Sequence, residues 1–208
     1  MSKGTDKISR YGIMGGTFDP IHYGHLVTAE GARYEFGLEK VFFIPAGQPP
    51  HKAHLKLTNP WQRFEMTKLA VATNPFFEAL PLEIVRPGPS YAIDTVKELT
   101  KLYPGKQFYF ITGADAVVEI INWKNADELL SMCFFIAATR PGIKLDDLER
   151  KVNSLPQELK KNIFCMEVPA LAISSTDIRQ RVSRGKPIKY LLPEEVEQYI
   201  ISHNIYKV

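Results

Sequence analysis

The stretch from Gly12 to His25, GIMGGTFDPIHYGH, constrains this 208-residue chain more than any other. Ile8, Tyr11 and Ile13 lead into it as the end of an apolar strand, two adjacent glycines follow, and His22-Tyr23-Gly24-His25 closes it where a helix should begin. Gly15 and Gly16 carry no Cβ, so the backbone there can take positive φ and let a bulky anion approach its peptide groups. Asp19 and Pro20 set a turn, and behind it Leu26, Val27, Ala29, Ala32, Tyr34 and Phe36 recur at helical spacing. A helix N-terminus offers N–H groups and the positive end of a dipole, so this turn is a natural seat for phosphate. Two histidines three positions apart can project into one pocket.

The rest of the chain repeats the same alternation of strand and helix. Strands are expected at 41–45, near 76–85, and at 107–112, 133–138 and 163–168. A helix should run from Asn59, with Asn as N-cap, Pro60 at the first helical position and Gln62 completing a capping box, to about Thr73. Arg86 to Ser90 is a run of turn formers, and Ser90 is expected to cap a helix over 91–102. Helical patterns follow around 117–121, 126–130 and 145–152, and the chain is mostly helical from Ser175, with Pro193 opening a last helix over 194–202. The pattern predicts an α/β fold: one doubly wound, Rossmann-like domain with a parallel sheet, helices on both faces and a small helical C-terminal portion. It should occupy 8–208 behind a polar tail of residues 1–7. In such sheets ligands sit at the carboxyl ends of the strands, and 15–25, 46–52, 113–115, 140 and 174–179 all follow strands.

Composition narrows the partners. An apolar content of 45% supports one full core, and a net charge of +3 with Lys and Arg scattered among 23 acidic residues suits a small anion better than nucleic acid. The longest apolar runs, such as 133–138, are too short to span a bilayer, and the polar start runs into the first strand without the pattern of a signal peptide. Cys133 and Cys165 lie in apolar runs with no CxxC spacing, so two buried thiols in a reducing cytoplasm are expected, with no disulfide or zinc site. Neither a GxxxxGKS/T loop nor a GxGxxG after the first strand occurs, so phosphate must be held another way.

GGTFDPIHYGH resembles the signature of the HxGH nucleotidyltransferase superfamily, and Ile173-Ser174-Ser175-Thr176-Asp177-Ile178-Arg179 resembles its second signature, ISSTxIR. Within that superfamily the chain is similar to the bacterial nicotinate-nucleotide adenylyltransferase family from Gly12 to Tyr206. The resemblance implies transfer of AMP from ATP to nicotinate mononucleotide, giving deamido-NAD and pyrophosphate in NAD biosynthesis. It implies direct in-line attack, with Mg²⁺ held mainly by the ATP phosphates and water and no protein ligands to the metal. ATP would lie against Gly15, Gly16, Thr17, Phe18, His22, His25, Ser174, Ser175, Thr176 and Arg179. His22, His25, Lys52 and Arg179 would neutralise the developing charge.

Ser90, Tyr91 and Ala92, in a segment similar to SYTxDT, would line the pyridine site together with a stacking Trp123, while Asp115 and Arg140 would contact ribose or nucleotide. Two positions depart from the family: Ala92 stands where threonine is common, and Lys124 follows the tryptophan where an aromatic is often seen. A cation near the pyridine carboxylate would favour the acid over the amide. Each assignment has a structural alternative. A histidine can cap or pack a helix, the serines and threonine can be an ordinary cap, Lys52 can be a solvated loop lysine, and Trp123, Asp115 and Arg140 can serve the core or an ion pair. His51 and His54 are expected at the loop surface, and Arg181 and Arg184 as surface charges. Two other functions stay open: a related adenylyltransferase acting on phosphopantetheine or nicotinamide mononucleotide, or a nucleotide-binding protein without turnover. No nucleic acid or membrane partner is expected, and monomer and homo-oligomer are both compatible with the sequence.

Overall fold

The computed structural model describes residues 8–207 except 53, 140, 141, 143 and 170, and the side chains of Asp115 and Val118 also fall outside the description. The expectations for the 1–7 tail, for Arg140 and for the Asp115 side chain therefore lie outside the described residues. The chain runs β1 (Arg10–Gly16), α1 (Tyr23–Glu35), β2 (Lys40–Pro45), α2 (Pro60–Val71), β3 (Phe77–Ala79), α3 (Leu82–Val85) and α4 (Ala92–Leu102). It continues β4 (Gln107–Gly113), α5 (Ala114–Val118), α6 (Ala126–Met132), β5 (Phe134–Ala138), α7 (Leu145–Asn153), α8 (Gln157–Lys160), β6 (Ile163–Met166), α9 (Ser175–Ser183) and α10 (Glu194–Ser202). The six strands form one sheet in the order β3-β2-β1-β4-β5-β6, and every pairing is parallel.

Alternation along the strands divides the core in two. Met14, Phe43, Tyr109, Ile111 and Ile136 pack on one face with Ala29 and Ala32 of α1, Met66 of α2, Ile178 of α9 and Val196 and Ile200 of α10. Their strand neighbours Ile13, Phe42, Phe110 and Phe135 pack on the other with Ile93 and Leu99 of α4, Val117 of α5, Leu129 of α6 and Leu148 of α7. A parallel sheet covered on both faces needs apolar residues at successive positions, which is why these strands read as unbroken apolar runs. Among the described residues no helix is long and apolar enough to cross a membrane.

β1 sits between β2 and β4, and the chain winds outward from it in both directions. The strand order reverses there, so a crevice opens beyond the carboxyl ends of β1 and β4. Met14 pairs with Phe43 on one side and with Ile111 on the other, which places Gly15 and Gly16 at the floor of that crevice.

Several local expectations are corrected. The 76–85 strand is only Phe77–Ala79; Pro81 has no N–H to continue a ladder, and the chain turns into the single-turn α3. Ser90 does not cap α4, whose N-cap is Tyr91; its Oγ accepts instead from Gln48 N at 3.1 Å. The short α8 after Pro156 was not anticipated. Gly15 and Gly16 do not take positive φ, which occurs nearby at Phe18 (φ 49°). They are glycines for lack of room: a Cβ on Gly15 would lie 3.1 Å from Phe110, and one on Gly16 2.8 Å from the Phe18 ring. At Asn59 the cap forms, with the side chain accepting from Trp61 N and Pro60 opening the helix, in place of the expected capping box with Gln62.

Ala46 N donates to Gly16 O, holding the loop after β2 against β1. At Gly47 an added Cβ would come within 2.1 Å of the backbone oxygen of Glu83, so the loop and α3 touch backbone to backbone. Gly47→Ala is expected to destabilise the protein by about 3 kcal/mol, the upper range for overpacking, as a lowered urea midpoint; an unchanged midpoint would show that the loop can move aside.

Candidate active site

The HxGH segment forms the first turn of α1. His22, 7% exposed, is the N-cap residue, and its backbone N donates to His25 Nδ1 at 3.2 Å. With Nδ1 accepting, neutral His25 carries its proton on Nε2. The two rings stack with centroids 3.8 Å apart, and Phe18 packs edge-on against His25. Gly24 is required by the stack: a Cβ there would lie 3.0 Å from His22 Cε1 and Nδ1. The spacing thus gives two imidazoles on one helix end with a glycine making room for the first.

The second signature meets the first at the Asp19-Pro20 turn. Arg179 Nη1 donates to Asp19 O at 2.7 Å, and Ser175 Oγ donates to Pro20 O at 2.8 Å. Ser174 is the N-cap of α9, accepting from Asp177 N, and Thr176 Oγ1 accepts from Arg179 Nη2. Of the three hydroxyls only that of Ser174 caps the helix; those of Ser175 and Thr176 tie α9 and Arg179 to the turn that precedes α1. The Asp19 carboxylate is buried and engaged by Tyr206 Oη at 2.6 Å and Thr58 N at 3.3 Å, so Tyr206, beyond α10, also closes on this turn.

Positive charge gathers around it. Lys52 Nζ donates to Thr17 Oγ1 at 3.0 Å. Burial first, then the charges of Arg179 and Arg63, push its ammonium below the usual lysine range, with Asp19 opposing. Arg63 is 0% exposed, and its guanidinium donates to the carbonyls of Thr58, Thr17 and Gly47. It thereby joins the loops after β1 and β2. Burial lowers its pKa and Asp19 opposes this. Three cations around one carboxylate leave this corner with a net positive charge.

Beside this corner, starting at Thr17 and Lys52, a cavity of about 800 Å³ extends along the crevice. It is lined at one end by Gly15, Gly16, Thr17 and Lys52, and at the other by Tyr91, Ala92, Trp123 and Lys124. Trp123 stands edge-to-face with Phe110 and Phe135, which fixes its indole against the sheet. Ser90 also lines the cavity, as does His51 at its rim, whose imidazole burial and Lys52 push below the usual range. Arg181 pairs with Asp177 at the surface as expected.

Arg63, Glu83 and Gly47 were missed from the sequence. Glu83 lines the cavity, accepts from Thr95 Oγ1 at 2.6 Å and lies 4.0 Å from Arg86. Burial raises its pKa, opposed chiefly by the Thr95 hydrogen bond. Its only sequence signal was a charged residue inside an apolar run.

The Tyr206 hydroxyl is pushed far above the usual tyrosine range by burial and by Asp19, so it stays a donor at all working pH. Tyr206→Phe is expected to cost about 2 kcal/mol, the weight of a hydrogen bond to a charged group, measured by urea unfolding. A loss below 0.5 kcal/mol, roughly the level of an ordinary surface change, would contradict that role.

The cytidylyltransferase-like family matches residues 13–181. A Thermoanaerobacter sp. protein named probable nicotinate-nucleotide adenylyltransferase is 59% identical over 199 residues, covering 95% of this chain and 94% of the relative. One of the same name from Moorella thermoacetica is 60% identical over 199 residues, covering 95% and 92%. Among solved structures, the Plasmodium falciparum nicotinic acid mononucleotide adenylyltransferase complexed with NaAD superposes with a TM-score of 0.78 at 22% identity, covering 95% of this chain and 97% of that one. That likeness bears on the fold, and the sequence relatives carry the kinship. Sequence and architecture together make this chain a member of the cytidylyltransferase-like family, within the branch of the nicotinate-nucleotide adenylyltransferases.

Proposed function

We propose that this enzyme joins ATP and nicotinate mononucleotide along the crevice between β1 and β4, with the residues described above in defined roles. One observation carries the reading: the N-termini of α1 and α9 meet on the Asp19-Pro20 turn, and a cavity runs from the neighbouring Thr17 and Lys52 to Trp123. The triphosphate fits the cationic corner. The α9 N-terminus and Arg179 receive the β and γ phosphates, since helix-end N–H groups and a guanidinium both favour phosphate oxygens. His22 and His25 face the α-phosphate.

The mononucleotide occupies the cavity, its pyridine on Trp123 and its carboxylate toward Tyr91 and Ala92, where the first N–H groups of α4 lack intrahelical acceptors. A 5′-phosphate oxygen attacks the α-phosphorus, a P–O bond forms, and the bond to the β-phosphate oxygen breaks, releasing pyrophosphate. No side chain needs to become covalently attached. The chain's contribution is positioning and neutralisation of charge on the non-bridging and leaving oxygens, by His22, His25, Lys52 and Arg179.

Mg²⁺ enters as part of the ATP substrate. Among the described residues no group of three or more His, Cys, Asp or Glu gathers as a metal cage, and the Asp19 carboxylate is engaged by Tyr206 and Thr58. A cation held by triphosphate and water fits this donor set. The reaction belongs in NAD biosynthesis in the cytoplasm, with small molecules as partners.

The test is pyrophosphate release from Mg-ATP with nicotinate mononucleotide, nicotinamide mononucleotide or phosphopantetheine as acceptor. Release is expected with the first. Preferred release with phosphopantetheine, or none with any acceptor, would overturn the reading. His22→Ala and His25→Ala should each lower kcat by about 100-fold or more, the scale of a lost transition-state donor, in protein that circular dichroism shows to be folded; normal turnover by both variants would remove the imidazoles from the mechanism.

Lys52 gives a pH signature. Its ammonium is the useful form, and a depressed pKa means that the proton is lost at lower pH than from an ordinary lysine. The rate should therefore fall as pH rises, on a limb beginning below the usual lysine value of about 10.4. Lys52→Arg should move that limb to higher pH; an unmoved limb would assign it to another group.

A further inference from the structure

Lys124 occupies a position of its own in the cavity. Its Nζ lies 3.2 Å from Asp94 Oδ2 and 4.3 Å from the centroid of the Tyr91 ring, so an ion pair and a cation–π contact fix it from two directions. Both partners belong to the start of α4, Tyr91 as its N-cap and Asp94 in its first turn. Lys124 itself follows Trp123 at the end of the Ile120–Asn122 turn. The ammonium thus bridges the two walls of the cavity's pyridine end.

The charges lining the cavity are unevenly distributed. Among the described lining residues the lysines are Lys52 and Lys124. Lys52 is tied to Thr17 beside the phosphate corner, which leaves Lys124 as the lysine at the Trp123 end. Among the described residues the lining carboxylates are Glu83 and Glu119. Glu83 is turned to Thr95 and lies near Arg86, and Glu119 accepts from Asn122 Nδ2 at 2.8 Å.

We infer that the Lys124 side chain is a specificity-determining residue, an ammonium poised by Asp94 and Tyr91 to favour a pyridine mononucleotide bearing a carboxylate over its neutral amide. The inference rests on the proposed pyridine-mononucleotide reading. The physical basis is the difference between the two acceptors, which is one negative charge at a fixed place on the ring. Backbone N–H groups at the α4 terminus can donate to the oxygen of either acceptor. A compact point charge distinguishes them, and it does so without ideal geometry. Asp94 holds the ammonium in place and partly offsets it, so the preference is moderate and sensitive to salt.

The experiment compares kcat/KM for nicotinate and nicotinamide mononucleotides in the wild type, Lys124→Met and Lys124→Arg. Methionine keeps an apolar stem over Tyr91 and removes the charge. The acid-to-amide ratio is expected to fall about fivefold in Lys124→Met, the weight of a half-exposed ion pair, through a higher KM for the acid. Lys124→Arg should restore it. Added salt should compress the wild-type ratio and leave that of Lys124→Met where it was. If Lys124 only braces α4 through Asp94, both acceptors lose together and the ratio stays constant, which overturns the inference while the functional reading stands. A wild type that transfers to neither mononucleotide overturns the functional reading, and this inference with it.

Discussion

The turn at Asp19-Pro20 is the point on which the two halves of the site depend. Its backbone oxygens take hydrogen bonds from Arg179 and Ser175, 160 and 155 residues away in sequence, and its carboxylate takes one from Tyr206. A turn so short has few ways to satisfy its own polar groups, and a buried one must find partners elsewhere. Here the partners come from the far end of the chain. The same bonds that satisfy the turn bring the α9 N-terminus beside the α1 N-terminus. Arg63 extends the anchorage to the loop that carries Lys52, because its guanidinium spans the carbonyls of Thr17, Gly47 and Thr58. Removing such a buried donor would strand three carbonyls, each costing about 1–3 kcal/mol.

The sheet supplies the other constraint. Reversal of strand order at β1 opens one crevice at the carboxyl edge, and the site has to be built there. Close approach decides which residues can line it. Glycines at 15, 16, 24 and 47 each stand where a Cβ would press on a ring or a backbone oxygen, so the floor of the site is set by backbone and aromatic surfaces. Trp123 is fixed the same way, by the edges of Phe110 and Phe135. The pocket is thus shaped before any ligand enters, which suits a reaction that relies on positioning.

Features carried by local physics were legible in the sequence. The parallel sheet followed from unbroken apolar runs between helical patterns. The histidine pair followed from its spacing at a helix start, and the α2 cap from Asn59-Pro60. The ISSTDIR segment could be placed at the site only through its resemblance to a known signature. Features set by tertiary contact were hidden. Arg63 reads as one more charge on an amphipathic helix, and nothing local says that three distant carbonyls await it. Ser90 sits in an ideal place to cap α4, yet Gln48 N claims its hydroxyl. The glycine pair suggested positive φ, whereas the need was for space against rings supplied by β4 and by Phe18.

Convergence of the chain's two ends on a single triphosphate can be measured directly by amide hydrogen exchange with a non-hydrolysable ATP analogue and Mg²⁺. Slowed exchange at residues 15–25 and 174–179, rising with one shared midpoint in nucleotide concentration, is the predicted result. Slowing confined to one of the two segments, or two separate midpoints, would contradict it.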